Sequence, residues 1–331
     1  MNNKSLFLIS GLILGGTLLA GCGQSVSASA PAPAADSAKT IENCGRTLDF
    51  AGVPQRAVAM TPGQSEMLVR LGQAEKVVAE AQTKGGALMP ELANLGIATQ
   101  LTEQGPPSRE VLLGVAPDLV YAPTSYEFTA EQGFASIDQL EAAGAQSYIA
   151  TAGCAERRGT AEVADLLTDI ENLGKVFEAP DQAAALAAEA RDVLDDVAQR
   201  VATVEKPSVA ELFVEGNTVS AIGAGIEYNM IEIAGGENVF SPDDKAFAQF
   251  FSSVISPETL VAKNPEVIVF TTLDQAHEKA TRDFLHTRFP QLDAVKNDRL
   301  VAIDSSDVMP GSWGNIHAVQ QIAQGLHPEA F

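Results

Sequence analysis

The stretch Ser108–Tyr121, S-R-E-V-L-L-G-V-A-P-D-L-V-Y, decides the fold. Ser108 is a good N-cap, because its hydroxyl accepts from the orphan backbone N–H groups of a first helical turn. Glu110 falls in that turn, where the helix dipole favours a negative charge. Pro117 cannot continue the helix, and Leu119, Val120 and Tyr121 start a buried strand. The same order returns 148 residues later in Ser256–Val269, S-P-E-T-L-V-A-K-N-P-E-V-I-V. There Pro257 takes the first helical position, and Glu258 precedes Pro265 by seven residues, as Glu110 precedes Pro117. Two more pairs follow the same chain order: Gln139–Ile149 with Gln291–Val301 (offset 152), and Ser65–Val77 with Glu227–Val239 (offset 162). Three ordered pairs predict two similar α/β lobes, with a period far too long for a solenoid.

The 331 residues allow about two domains of ordinary size, and a hydrophobic content of 46% supplies their cores. The net charge of −22 argues against nucleic acid, whose phosphates need clustered Lys and Arg. It fits an acidic extracytoplasmic protein.

Residues 1–21 read as a secretion signal, with Lys4 in the positive segment and an apolar run from Leu6 to Ala20 too short for a comfortable membrane span. It ends L-L-A-G-C at Cys22, which resembles the bacterial lipobox, in which the cysteine is lipidated and becomes the mature N-terminus. Residues 22–40, rich in Ser, Ala and Pro, read as a flexible tether. Export places the two remaining cysteines, Cys44 and Cys154, in an oxidising compartment. A disulfide between them is the default expectation, ahead of two buried thiols.

The first lobe is expected over 41–178, with a strand at Ala57–Met60, a helix Gln64–Leu71 and a strand Val77–Glu80. The opening stretch follows, then a helix near Ala135–Ala143 and a strand near Ser147–Ile149. Helical spacing runs from Thr160 to Glu178, and Ala179-Pro180-Asp181 breaks it. A long alanine-rich helix over 182–204, within a connecting segment 179–206, then forms a rigid spine. The second lobe, 207–331, opens with the strands Val209–Val214 and Thr218–Ala221 around a tight turn. It continues with a helix Tyr228–Ala234 and closes with a strand Leu300–Ile303 and a last helix from about Asn315. Alternating strands and helices predict mostly parallel sheets with covered faces.

Several segments in this order resemble the substrate-binding lipoproteins of ABC importers for ferric siderophores, haem and cobalamin. They are P-Q-R-A-V-A-M-T-P-G-Q-S-E-M-L at Pro54, A-P-D-L-V at Ala116, A-G-G-E-N-V-F at Ala234, N-P-E-V-I-V at Asn264, P-G-S-W-G-N-I-H-A-V at Pro310 and L-H-P-E at Leu326. The resemblance runs from about Asn43 to the C-terminus. It implies two α/β lobes joined by one long helix, a ligand held in the cleft between them without chemistry, and small opening motions. It also implies one glutamate per lobe docking onto arginines of the permease, and Glu110 and Glu258 match those positions. The expected ligand is a ferric siderophore, with haem or a corrinoid as the alternative. The expected partners are the permease dimer with its ATPase and the membrane, reached through the lipid anchor. The protein itself is expected to be monomeric and to carry no cofactor.

Glu110 and Glu258 also read as ordinary dipole-complementing acids, and their equivalence across the repeat favours the paired role. For the ligand, the candidates are Tyr126 on the exit of the first opening strand, Tyr228 and Glu66 on repeat-equivalent helices, and Trp313 on a Gly-rich loop. Arg158 joins them, from the basic pair Arg157–Arg158 near Cys154, suited to an anionic group. Each aromatic has local packing as its alternative, each arginine a solvated role, and Glu66 the capping of its own helix. Hydroxamate-binding members carry an arginine six residues before the docking glutamate, where this chain has Gln104. The histidines, 277, 286, 317 and 327, lack metal-ligand spacing, though one Tyr or His suffices to ligate haem iron, which keeps Tyr126 and Tyr228 open to that role. No GxSxG or Walker A sequence is present, and the Gly-Ala-Gly at Gly223 lacks the rest of a dinucleotide fingerprint, so nothing points to an enzyme. An adhesin-type lipoprotein on the same fold is the remaining alternative.

Overall fold

The structure is a computed structural model and describes residues 39–84 and 88–331; the signal segment, Cys22 and most of the tether lie outside the described residues. The first lobe begins with the hairpin β1 (Lys39–Asn43) and β2 (Arg46–Phe50). It continues through β3 (Ala57–Ala59), α1 (Pro62–Arg70), β4 (Val77–Glu80), α2 (Pro90–Leu95), β5 (Thr99–Gln100), α3 (Arg109–Gly114), β6 (Leu119–Ala122), α4 (Ile137–Ala142), β7 (Gln146–Ile149) and α5 (Asp165–Val176). The long helix α6 (Pro180–Val201) leads to β8 (Ser208–Glu215), β9 (Thr218–Ile222), α7 (Gly225–Ile233), β10 (Glu237–Asn238), β11 (Ser252–Val254), α8 (Pro257–Lys263), β12 (Val267–Thr272), α9 (Gln275–Arg288), α10 (Asp293–Lys296), β13 (Leu300–Asp304) and α11 (Gly314–Leu326).

The opening stretch folds as its residues dictate. The Ser108 hydroxyl accepts from the Val111 N–H and starts α3. Ala116 then turns left-handed (φ +46°) before Pro117, and β6 is buried along its whole length. In the second copy Ser256 accepts from the Thr259 N–H, Asn264 takes the left-handed position (φ +39°), and β12 is likewise fully buried. Fully buried strands belong to sheets covered on both faces.

The first sheet is parallel, in the order β5-β4-β3-β6-β7. The strand order reverses between β3 and β6, the kind of point at which open α/β sheets hold ligands beyond their strand ends. The second sheet runs β11-β9-β8-β12-β13, with β10 also beside β8. Here β9 lies antiparallel to β8 and β11, because the two-residue turn Gly216-Asn217 (φ +60° at the glycine) folds it straight back.

Five boundaries differ from the sequence reading. Lys39 and Thr40 pair with Phe50 and Asp49 in β1–β2, so the ordered lobe starts before Ile41. Pro62 and Pro180 open α1 and α6 from inside, at the first helical turn where the missing N–H costs nothing, instead of lying in the turns ahead of them. α5 starts only at Asp165, because that carboxylate accepts from the Glu162 N–H and from Arg157 and holds 157–164 in turns. α7 starts at Gly225, three residues earlier than expected.

α6 is packed between the lobes. Its Ala183, Leu186, Ala187, Ala190, Val197 and Val201 are buried in one cluster with residues of both lobes, from Leu119 and Ile170 to Met230, Val269 and Val319. Gly174 of α5 permits this approach: a Cβ there would lie 2.4 Å from the Ala183 Cβ. The hairpin is tied to the edge of the first sheet by the Cys44–Cys154 disulfide (Cα–Cα 5.3 Å). The Asn43 side chain reinforces the tie, donating to Ile149 O (2.7 Å) and accepting from Ile149 N (2.9 Å).

Candidate functional site

A cavity of about 360 Å³ opens between the lobes at the carboxyl ends of the central strands. From the first lobe it is lined by Thr124 and Tyr126 beyond β6, by Ala152 and Gly153 beyond β7, and by Arg158 and Ala161. From the second lobe come Ile226 and Glu227 of α7, Phe250 and Phe251 ahead of β11, and Val308, Met309 and Pro310 beyond β13.

The turn after β6 is built to present Tyr126. Glu127 is buried, and its carboxylate accepts from both the N–H and the hydroxyl of Thr124, while Thr124 Oγ1 accepts from the Tyr126 N–H. The ring, 50% exposed, leans edge-on against Phe134. Arg158 lies across the cavity mouth with its guanidinium over the Phe250 ring, 5.6 Å from the centroid. Among the described residues no carboxylate lies within ion-pair distance of it, whereas the neighbouring Arg157 is spent on Asp165 (2.7 Å). A second hollow of about 260 Å³ lies behind the Arg158–Phe250 pair, which lines both. Gly225 makes this wall possible: its φ of +76° and a Cβ position 2.6 Å from the Arg158 carbonyl oxygen exclude other residues.

The two lobes also meet directly below the cavity. The Tyr121 hydroxyl donates to Gly311 O (3.0 Å), and the Gln64 amide donates to Pro310 O (2.8 Å). These bonds hold the lining segment Val308–Pro310 of the second lobe against the floor of the first.

Tyr126 and Arg158 therefore stand where the sequence suggested. Trp313, Tyr228 and Glu66 do not line the cavity. Trp313 is 2% exposed, at the start of α11 beneath the Arg70 guanidinium (4.4 Å), so it is a packing residue. Glu66 is held by Arg70 (2.8 Å), which also approaches Glu189 of α6. Tyr228 turns to the opposite side of α7, towards Glu232, Glu237 and Asp243, whose charges add to desolvation in raising its phenol. The pairing of Tyr228 with Glu66 is also off by one residue. Both helices follow an extended cap residue, Thr61 and Ala224, so the structural offset is 163, and Glu227 matches Gln64. One residue turns a helical side chain by about 100°. Tyr228 and its neighbour Glu227 therefore face different ways, and Glu227 is the one in the cavity lining.

Glu227 is one of a buried pair. Its carboxyl, 9% exposed, accepts from the Thr271 hydroxyl (3.4 Å) and neighbours Glu211 of β8, 1% exposed. Burial pushes Glu227 up to about 7. Glu211 is pushed further up, first by burial and then by the charge on Glu227. Phe250 and Phe251 were not foreseen either, because they sit in an irregular segment with no periodicity to read.

Glu110 and Glu258 are fully exposed at the second position of α3 and α8. Backbone N–H groups of the first turn lower both carboxyls first, and Arg109, 2.6 Å from Glu110, gives that residue a cationic partner that Glu258 lacks among the described residues.

Comparison with known proteins agrees with this architecture. The chain is 24% identical over 335 residues to the uncharacterised ABC transporter substrate-binding lipoprotein YvrC of Bacillus subtilis, covering 97% of this chain and 96% of that one. It is 25% identical over 217 residues to a vitamin B12-binding protein of Vibrio campbellii, covering 66% and 70%. The crystal structure of an ABC-type Fe3+-hydroxamate transport system from Saccharomonospora viridis shares the fold, with a TM-score of 0.70, 24% identity, and 87% of this chain and 99% of that chain covered. Residues 58–306 match the sequence profile of the periplasmic binding protein family, and the chain belongs to that family.

Proposed function

We propose that the chain is the extracytoplasmic receptor of an ABC importer, held at the membrane through Cys22, and that it captures a ferric siderophore and hands it to the permease unchanged. The observation that carries this reading is the lining of the cavity. An apolar, aromatic wall (Tyr126, Phe250, Phe251) faces a guanidinium with no carboxylate partner among the described residues, which suits a bulky chelate with an oxygen-rich surface. About 360 Å³ is at the small end of the usual range for ligand pockets, roughly 300–1,000 Å³, and favours a compact chelate over a whole corrinoid. Glu110 and Glu258, at matching exposed helix starts, serve in this reading as the permease contacts.

Haem is the second reading. Its support is Tyr126, an exposed phenol on the cavity wall, of the residue type that ligates iron in some haem proteins. The test is retention of coloured ligands by the purified protein in rapid gel filtration, with a ferric trihydroxamate, haemin and cyanocobalamin as probes. Absorbance is the better readout, since Trp313 is buried away from the cavity and reports on it only indirectly. Stoichiometric retention of the ferric chelate is expected. Retention of haemin or cyanocobalamin alone would replace the siderophore assignment.

A further inference from the structure

We propose that Glu211 and Glu227 form a proton-holding subsite in the wall of the cleft, which presents an O–H donor to an acceptor oxygen of the bound ligand and couples capture to proton uptake. The proposal rests on reading the cavity as the ligand site. Glu211 lies mid-strand, where its β8 neighbours Val209, Ala210 and Leu212 are apolar and buried. A lone acid in such a strand is costly unless it is neutral or paired. Its Oε2 finds no donor among the described residues, and the group beside it is another carboxyl. Two adjacent buried carboxyls do not both ionise, so one proton stays with the pair. That shared proton satisfies the orphaned oxygen.

Glu227 then faces the cavity as the member that changes state. Two groups bear on it directly, Glu211 from β8 and the Thr271 hydroxyl from β12, and Arg158, from the first lobe, is the other charged side chain in the lining. With Glu227 protonated, both walls offer donors, Arg158 on one side and the carboxylic acid on the other. With Glu227 ionised, the wall repels the oxygen atoms that Arg158 attracts. The ligand class that fits is therefore neutral or anionic and rich in acceptor oxygens, not cationic. Since Glu227 titrates near neutrality, a ligand that needs its proton binds more weakly as pH rises above about 7.

The test is the pH dependence of affinity from about pH 5.5 to 8.5 for the wild-type protein, Glu227→Gln and Glu211→Gln, with whichever of the three coloured probes is retained. Calorimetry in two buffers of unlike ionisation heat counts the protons taken up. The wild-type affinity should fall about tenfold per pH unit above neutrality, with close to one proton taken up per ligand. Glu227→Gln keeps an N–H donor and should bind with a flat profile. A ligand-free arm stands beside it. The folded pair holds protons that the unfolded chain releases near its ordinary glutamate value, so wild-type stability declines as pH rises from about 4.5 towards 7 and beyond, and either variant flattens the decline. Wild-type slopes that persist in Glu227→Gln overturn the proposal while the receptor reading stands. Failure to retain any probe at any pH removes the receptor reading, and the subsite with it.

Discussion

Breaking the Cys44–Cys154 bridge should destabilise the protein strongly without unfolding it. The bridge closes a loop with a sequence separation of 110. Chain-entropy arithmetic for a loop of that length gives about 5 kcal/mol at 25 °C, and losses on removing native disulfides run from about 2 to 5 kcal/mol. The structure argues for the middle of that range. The hairpin turn at Cys44-Gly45 has positive φ at both residues, +51° and +67°, and the non-glycine Cys44 bears strain there. The hairpin also keeps its other ties, the paired Asn43–Ile149 bonds and the Arg46 donation to Ser147 O (2.6 Å), so the native state survives reduction. For a folded unit near 300 residues, an unfolding entropy of about 2.1 cal/mol/K per residue converts about 3–4 kcal/mol into a Tm loss of roughly 5–7 °C. Urea titrations of the oxidised protein, the reduced protein and Cys44→Ala/Cys154→Ala provide the assay. The midpoint should drop and the slope should steepen, because the open denatured chain exposes more surface. An unchanged midpoint, with reduction verified by thiol labelling, would show that the bridge adds nothing to the contacts around it.

Two further outcomes follow from the opening repeat. Glu110→Ala with Glu258→Ala should leave ligand affinity unchanged and abolish uptake in cells; normal uptake by the double variant would remove the docking assignment, and Arg109→Ala should separate the two sites, since among the described residues Glu110 has a cationic partner and Glu258 has none. Ala116→Asn should raise stability by roughly 0.5–1 kcal/mol, because the exposed Ala116 holds the left-handed conformation that its repeat partner Asn264 adopts more readily; an unchanged urea midpoint would mean that the turn carries no strain.

Much of the site was legible in part only, and the reason is geometric. Tyr126 could be placed because a strand exit has one direction, fixed by the buried run Leu119–Ala122 behind it. Arg158 could be placed because Cys154 anchors its loop. Trp313 misled because a Gly-rich loop looks exposed, while here its indole packs beneath Arg70 at the start of a buried helix. Tyr228 misled because its expected repeat partner Glu66 is itself outside the cavity, and neighbouring residues of a helix face about 100° apart, so Glu227 is the one in the lining.

The residues alone determined the two α/β lobes, the repeated helix–strand unit with its paired glutamates, the long helix and the cysteine pair. Each of these depends on short-range rules: caps, prolines, apolar period and redox compartment. The tertiary structure decided which side chains share a cavity. That choice depends on where the ends of β6, β7 and β13, the start of α7 and the Phe250–Phe251 segment converge, and on a backbone approach that Gly225 alone permits. Contacts between chain segments roughly 70 to 190 residues apart leave no local signature. So the sequence reached the class of protein, and the packing brought Glu211 and Glu227 together beside the cleft.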